Sequence, residues 1–245
     1  MFRLSSMCRP ARTGMTLNNK EIRNHKEIRN HKENLRRKRL QETKEDREMK
    51  IIGITGGVGC GKSKVLSWFQ ELPDTKVYEA DQIAHLLQEP GSCCYKEIVA
   101  EFGVRILKED GKIDRKILGS IVFSDAIKLE RLNQIVHPKV KQYVQKCIRE
   151  EESAGTRLFV LEAALLLEDG YEEICDEIWY IYAREEIRRA RLKASRGYSD
   201  EKITSMLQAQ KSENEFREAC DRTIDNSGLW KETCSQLKNA LESVC

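Results

Sequence analysis

No run of apolar residues in the 245-residue chain approaches the ~20 needed to cross a bilayer. The longest, Leu158 to Leu167, is broken by Glu162, so no integral membrane protein is expected. The first residues hold no apolar core of the length a secretory signal requires. The nine cysteines form no CxxC pair, and adjacent Cys93 and Cys94 do not fit zinc-ligand spacing. Reduced thiols in a cytoplasmic protein are the simplest reading. The four histidines show no metal spacing either. Trp68, Trp179 and Trp230 stand apart from one another and read as core. A guanine-specific NKxD is absent; Asn19-Lys20-Glu21-Ile22 fails it.

Charge of one sign is also missing from most of the chain. Residues 1–48 carry 14 Lys/Arg against 7 Asp/Glu, whereas the rest carries 29 against 33. The body is mildly acidic, so a general nucleic-acid surface is not expected there, since phosphate binding needs a basic field. The basic leader repeats itself: KEIRNH at Lys20–His25 recurs at Lys26–His31. A six-residue period matches no apolar helical seam, and Ile22 and Ile28 cannot build a core. Three readings arise: a basic arm for RNA or membrane surfaces, a transit peptide, or a bland one, either a disordered leader or an upstream start codon chosen in place of Met49. Composition favours the bland one.

From Met49 the texture changes. Lys50–Thr55 is a short β-branched run that reads as a buried strand. Further strands are predicted at Lys76–Ala80, Leu158–Ala163, Glu177–Tyr182 and near Thr223–Asp225. Strands separated by helices imply crossovers and a parallel sheet, hence an α/β fold. The mostly helical stretch 92–152 is too long for a single crossover and reads as an inserted substrate-side region within one domain, residues 49–245.

The strongest signal is Gly56-Gly57-Val58-Gly59-Cys60-Gly61-Lys62-Ser63, which matches GxxxxGK[ST] directly after a strand. Glycines let backbone N–H groups turn inward around phosphate oxygens, and the helix that follows adds partial positive charge. Lys62 would reach the β- and γ-phosphates and the Ser63 hydroxyl would bind Mg²⁺. Cys60 reads as a small filler. The loop alone specifies a nucleoside triphosphate, not a reaction. With NKxD absent and the body small for a motor ATPase, a small-molecule kinase leads.

The second predicted strand runs into Asp81. Carboxyl ends of parallel strands face the ligand crevice, so this carboxylate can orient an attacking hydroxyl. A second reading makes Asp81 the N-cap of a helix over Gln82–Gln88. Glu162 ends a core strand and either meets the Mg²⁺ shell through water or bonds neighbouring backbone. Arginines 184, 188, 189, 191 and 196 crowd one predicted helix, and solvated ion pairs account for most of them. Arg196, at a glycine hinge, is the leading candidate to close over the phosphates, with Arg191 second.

The ordered set GITGGVGCGKS, YEADQIA, IDRKILGSIVFSD, LNQIVHPKV, LEAALLLEDGY, RGYSDEKI, LQAQ and TIDNSG resembles the dephospho-CoA kinase family. The likeness runs from Met49 to about Leu241. It implies a P-loop, nucleoside-monophosphate-kinase-like fold: a parallel five-stranded sheet flanked by helices, with a helical CoA-side insertion and a lid over about 184–211. It implies transfer of the ATP γ-phosphoryl group to the ribose 3′-hydroxyl of dephospho-CoA, with Mg²⁺. By position, it implies that Gly57, Gly59, Cys60, Gly61, Lys62, Ser63 and Lys64 bind ATP phosphates and that Asn226 lies near the nucleotide base. Asp81 becomes the general base, and Arg115 and His137 belong to the acceptor side. Lys64 replaces the family's usual Thr, Glu79 replaces Asp, and Ala164 stands where Pro is common. The lid arginine position of the family falls on Ser195, one residue before Arg196. Two other functions remain open: a kinase for another small hydroxyl acceptor, or a nucleotide-gated RNA-binding regulator using the basic arm.

Overall fold

The computed structural model describes residues 49–244; the basic leader, its repeat and its predicted disorder lie outside them. Five strands form one parallel sheet: β1 (Lys50–Thr55), β2 (Thr75–Glu79), β3 (Leu158–Glu162), β4 (Glu177–Tyr182) and β5 (Arg222–Asp225). Their order across the sheet is β2-β3-β1-β4-β5. Every predicted strand is found, with ends shifted by at most a residue.

The strand sequences explain the layering. Successive side chains point to opposite faces, and both faces are covered, so the central strands are apolar throughout. Ile51, Phe159 and Leu161 enter one core with Ile83, Ile98, Val136 and Val144. Ile52, Ile54, Val160, Trp179 and Ile181 enter the other with Val65, Phe69 and Leu237. Trp179 is fully buried. Trp68 and Trp230 are only half-buried, because their rings lie at the edge of the second core.

Helix α1 (Lys62–Gln70) follows β1, and α2 (Ala80–Leu86) follows β2. The 92–152 segment forms α3 (Cys93–Phe102), α4 (Arg115–Phe123) and the 28-residue α5 (Ala126–Ser153), as its helical reading requires. Asp114 and Asp125 cap α4 and α5, each accepting two backbone N–H groups. Pro138 sits inside α5, directly after His137. After β4 come α6 (Glu185–Arg196), α7 (Asp200–Gln208) and α8 (Glu213–Ala219), and α9 (Trp230–Glu242) follows β5. Gly197 ends α6 in the left-handed conformation, φ 60°, the glycine stop that the sequence places after Arg196. Among the described residues no helix is long and apolar enough to cross a membrane, and seven cysteines are free.

One expectation about a cap fails. Asp81 does not cap its helix: α2 begins at Ala80, the cap position is Glu79, and Asp81 lies in the first turn. The strand simply runs into the helix without an intervening residue, so the helix starts two positions early. Glu79 instead accepts a hydrogen bond from Gln82 Nε2 at 2.5 Å.

Candidate active site

Strand order sets the position of the site. β1 pairs with β3 on one side and β4 on the other, so chain connections diverge from its carboxyl end and leave a crevice there. The glycine loop 56–61 occupies that crevice. Gly59 and Gly61 have φ 78° and 91°, the left-handed region that side chains avoid. A Cβ on Gly61 would run into Asn226 Nδ2, and one on Gly59 would lie 3.0 Å from the Arg188 carbonyl oxygen. Gly61→Ala is therefore expected to cost about 2 kcal/mol from backbone strain and the displaced asparagine. Thermal denaturation should show a Tm lower by roughly 4–8 °C.

Lys62 opens α1 and is 8% exposed. Its Nζ donates to the Gly56 carbonyl oxygen at 2.7 Å and lies 3.6 Å from Glu162 Oε1. Glu162 is 4% exposed. The lysine thus bridges loop and sheet from beneath, with its charge compensated. Cys60 is buried against the second core, the filler role expected of it. Ser63 follows on the exposed side of α1. Lys64 turns away from the loop; its ammonium lies 4.3 Å from the centroid of the Trp230 ring.

The strand register arranges three carboxylates. Ile54 pairs with Glu162, and Glu162 with Glu79, across three neighbouring strands. The loop starts two residues beyond Ile54, and Asp81 lies two beyond Glu79. Loop and Asp81 thus flank Glu162, with two inter-strand steps, roughly 10 Å, between their parent strands.

Helix α6 lies over the loop. Arg188 Nε donates to the Val58 carbonyl oxygen at 2.8 Å, and its Nη2 donates to Gln210 Oε1 at 2.8 Å. The same Gln210 oxygen accepts the Val58 N–H at 3.1 Å. Arg191 Nη1 and Nη2 donate to the carbonyl oxygens of Cys60 and Asn226, at 3.2 and 2.8 Å. A cleft of about 220 Å³ opens between loop and α6, with Arg191, Ser195 and Arg196 on its far wall. Arg196 stands at the rim, its guanidinium 5.9 Å from the Tyr198 ring. Arg188 and Gln210 are contacts that the sequence reading did not assign. Arg188 is no solvated ion pair: its spacing of three from Arg191 and four from buried Leu192 puts all three on the helix face that meets the loop.

Asn226 is 3% exposed and spends both ends of its amide on structure. Nδ2 donates to the Cys60 carbonyl oxygen at 2.8 Å, and Oδ1 accepts from Thr233 Oγ1 at 3.1 Å. It braces the phosphate loop.

A second slot lies on the other side of Asp81, between α2, α5 and the chain after β3. Asp81 and His137 both line it. His137 Nδ1 is 3.0 Å from Asp169 Oδ1, which fixes the ring. Arg115 does not line the slot. It lies outside, exposed, 3.6 Å from Glu89. Burial, and then the charge of Arg115, hold the nearby His85 below its ordinary pKa, while Asp81 opposes them. The structure therefore brings Lys62, Ser63 and Glu162 together with the loop, and His137 together with Asp81, but leaves Arg115 apart.

A glycine loop with a buried lysine at the head of the central parallel strand, beside a carboxylate-bearing slot and under an arginine helix, defines a P-loop kinase. The particular family follows from comparison. A family model described as dephospho-CoA kinase matches residues 50–232. A curated relative of that name from Symbiobacterium thermophilum is 38% identical over 197 residues, 80% of this chain and 82% of its own. Another, from Carboxydothermus hydrogenoformans, is 40% identical over 194 residues, 79% of this chain and 94% of its own. The solved dephospho-CoA kinase from Campylobacter jejuni superposes with a TM-score of 0.61 at 26% identity, covering 79% of this chain and 96% of that one. A solved Thermus thermophilus protein gives a TM-score of 0.69 at 29% identity, over 80% and 98%. The chain belongs to the dephospho-CoA kinase family.

Proposed function

We propose that the chain transfers the γ-phosphoryl group of ATP to the ribose 3′-hydroxyl of dephospho-CoA, giving coenzyme A and ADP. The observation that carries this reading is Asp81 in a slot of its own beside the lysine-bearing loop. A nucleotide on the loop and an acceptor in the slot would meet at that carboxylate.

In this reading the loop N–H groups and Lys62 hold the phosphates of ATP through Gly57 to Lys64, with Lys64 contributing its backbone. Asp81 accepts the hydroxyl proton and aims the oxygen at phosphorus in line. Arg191 is already beside the loop, and Arg196 swings from the rim as the lid, residues 184–211, closes; both neutralise charge spreading over the transferred group. Closure excludes water and with it wasteful hydrolysis. His137, held by Asp169, lines the acceptor path with Asp81, and Arg115 meets the acceptor where it leaves the slot. Asn226 acts by holding the loop in shape beneath the nucleotide.

Mg²⁺ suits the donors present. Among the described residues no group of three or more His, Cys, Asp or Glu could cage a metal ion. A hard cation of this kind keeps most of its shell as phosphate oxygens and water. Ser63 would hold it directly and Glu162 through water. Bound there, it supplies neutralising charge at the phosphate oxygens.

The kinase domain is residues 49–245, acting in the cytoplasm on a small molecule, with neither membrane nor nucleic acid as partner. A kinase for a different hydroxyl acceptor and an RNA-binding regulator are not favoured by the family match. The test is ADP release from MgATP across a panel of hydroxyl acceptors. Release only with dephospho-CoA, with product phosphorylated on the 3′-oxygen by mass spectrometry, is expected. No dephospho-CoA-dependent release by folded, ATP-binding protein would overturn the assignment.

A further inference from the structure

The acceptor slot carries a polar group that the proposed chemistry at Asp81 does not use. Gln88 lines the slot with Asp81 and His137. It is 3% exposed, and neither Nε2 nor Oε1 has a hydrogen-bond partner among the described residues. Buried amides are seldom left so, because each unpaired donor or acceptor costs free energy. Asn226, buried to the same degree, has both ends engaged. The contrast marks Gln88 as an amide with both ends left to meet a ligand in the slot.

The surroundings describe that partner. Asp81, Ala84 and Gln88 line the slot from one side, at helical spacing. Leu132 and Val136 of α5 face them with apolar surface. The slot is narrow and open along one side, about 70 Å³ in volume. Gln88 lies two residues past the end of α2 in its closing turn, seven beyond Asp81, which puts the two roughly 10 Å apart. That is about the reach of a nucleoside from its ribose hydroxyl to the far edge of its base. A primary amide offers a donor and an acceptor side by side in one plane. Adenine presents the complement, an amino donor beside a ring-nitrogen acceptor.

Resting on the proposed dephospho-CoA activity, we infer that Gln88 binds the adenine of the acceptor, one amide to one base edge, while the ribose hydroxyl reaches Asp81. Gln88 is then the specificity residue for the base, and ATP on the loop is indifferent to it.

The experiment uses the full chain, wild type and Gln88→Leu, which keeps the volume and removes both polar ends. Dephospho-CoA is compared with its analogue bearing purine in place of adenine, lacking the 6-amino group. Binding without ATP is read by calorimetry and turnover by ADP release. Gln88→Leu should raise the KM and the Kd for dephospho-CoA roughly ten- to hundredfold, with the KM for ATP within about twofold. Tm should hold or rise, since an apolar side chain replaces an unpaired amide. Wild type should bind the purine analogue at least about tenfold more weakly than dephospho-CoA; the variant should not distinguish them. Unchanged dephospho-CoA binding by the variant would overturn the assignment and leave Gln88 paired with water alone. Equal discrimination by both proteins would overturn it too, placing the base elsewhere. Wild type that binds dephospho-CoA without phosphorylating it would remove the activity and leave the base contact to be judged on the binding data. Wild type that does neither removes both.

Discussion

Asp81→Asn is expected to lower kcat with dephospho-CoA by about 10²–10⁴-fold while leaving the KM for ATP within about threefold. The substitution keeps size and hydrogen-bonding capacity but removes the ability to take a proton. Structure should suffer little. Asp81 sits in the first turn of α2 without capping it, so the helix gives up a charge–dipole contribution of about 0.3–1 kcal/mol. The loop that would hold ATP hangs from β1, with β3 between it and the strand that leads into Asp81. Steady-state kinetics with each substrate varied in turn, beside a thermal melt, decide the matter. Losses of similar size in kcat and in ATP binding would make Asp81 a structural residue.

Lys62→Ala should do more damage, and of two kinds. Turnover should fall by about 10²–10³-fold or more, because the ammonium is a charge buried against the glycine loop where the phosphates would sit. Stability should fall as well. Lys62 and Glu162 are buried together, 8% and 5% of their side chains exposed, at 3.6 Å. Removing the lysine leaves a buried carboxylate without that partner, a loss of about 3 kcal/mol or more in such pairs. Tm should drop by roughly 6 °C or more. Adding Glu162→Gln to Lys62→Ala should restore much of the Tm and none of the turnover. If the double variant regained activity with its stability, the lysine would be a folding residue and its phosphate role would fall.

The parts of this molecule that the sequence made readable are those in which neighbours along the chain are neighbours in space. The phosphate loop is one: eight consecutive residues with a strand before and a helix after. The sheet is another, because β1 and β3 are apolar on both faces and stand out as runs. Asp81 was legible as the residue a strand's carboxyl end runs into, but its alternative reading as a helix cap fails, since a strand that passes into a helix without a turn leaves no punctuation. What stayed hidden depends on distance in the chain. Gln210 meets Val58 across 152 residues, and Arg188 meets the same residue across 130. Within α6, Arg188 looks like any charge on a solvated face. Lys64 belongs to the loop motif, yet its side chain leaves for Trp230, a choice made by the packing of α9. The unpaired state of Gln88 is a property of what surrounds it, which no local pattern records.

The brace from Asn226 to Cys60 has a consequence for how the protein comes into being. It joins groups 166 residues apart, and Arg191 donates to the backbone carbonyl oxygens of the same two residues. A chain emerging from the ribosome completes its glycine loop early, but the strand that steadies it is among the last segments to be made. Thr233, which holds the other end of the Asn226 amide, comes later still. For most of synthesis the loop is therefore a sequence without a shape. The brace is expected to form only as the final strand and helix dock, so an unfinished chain lacks the contact that steadies its glycine loop.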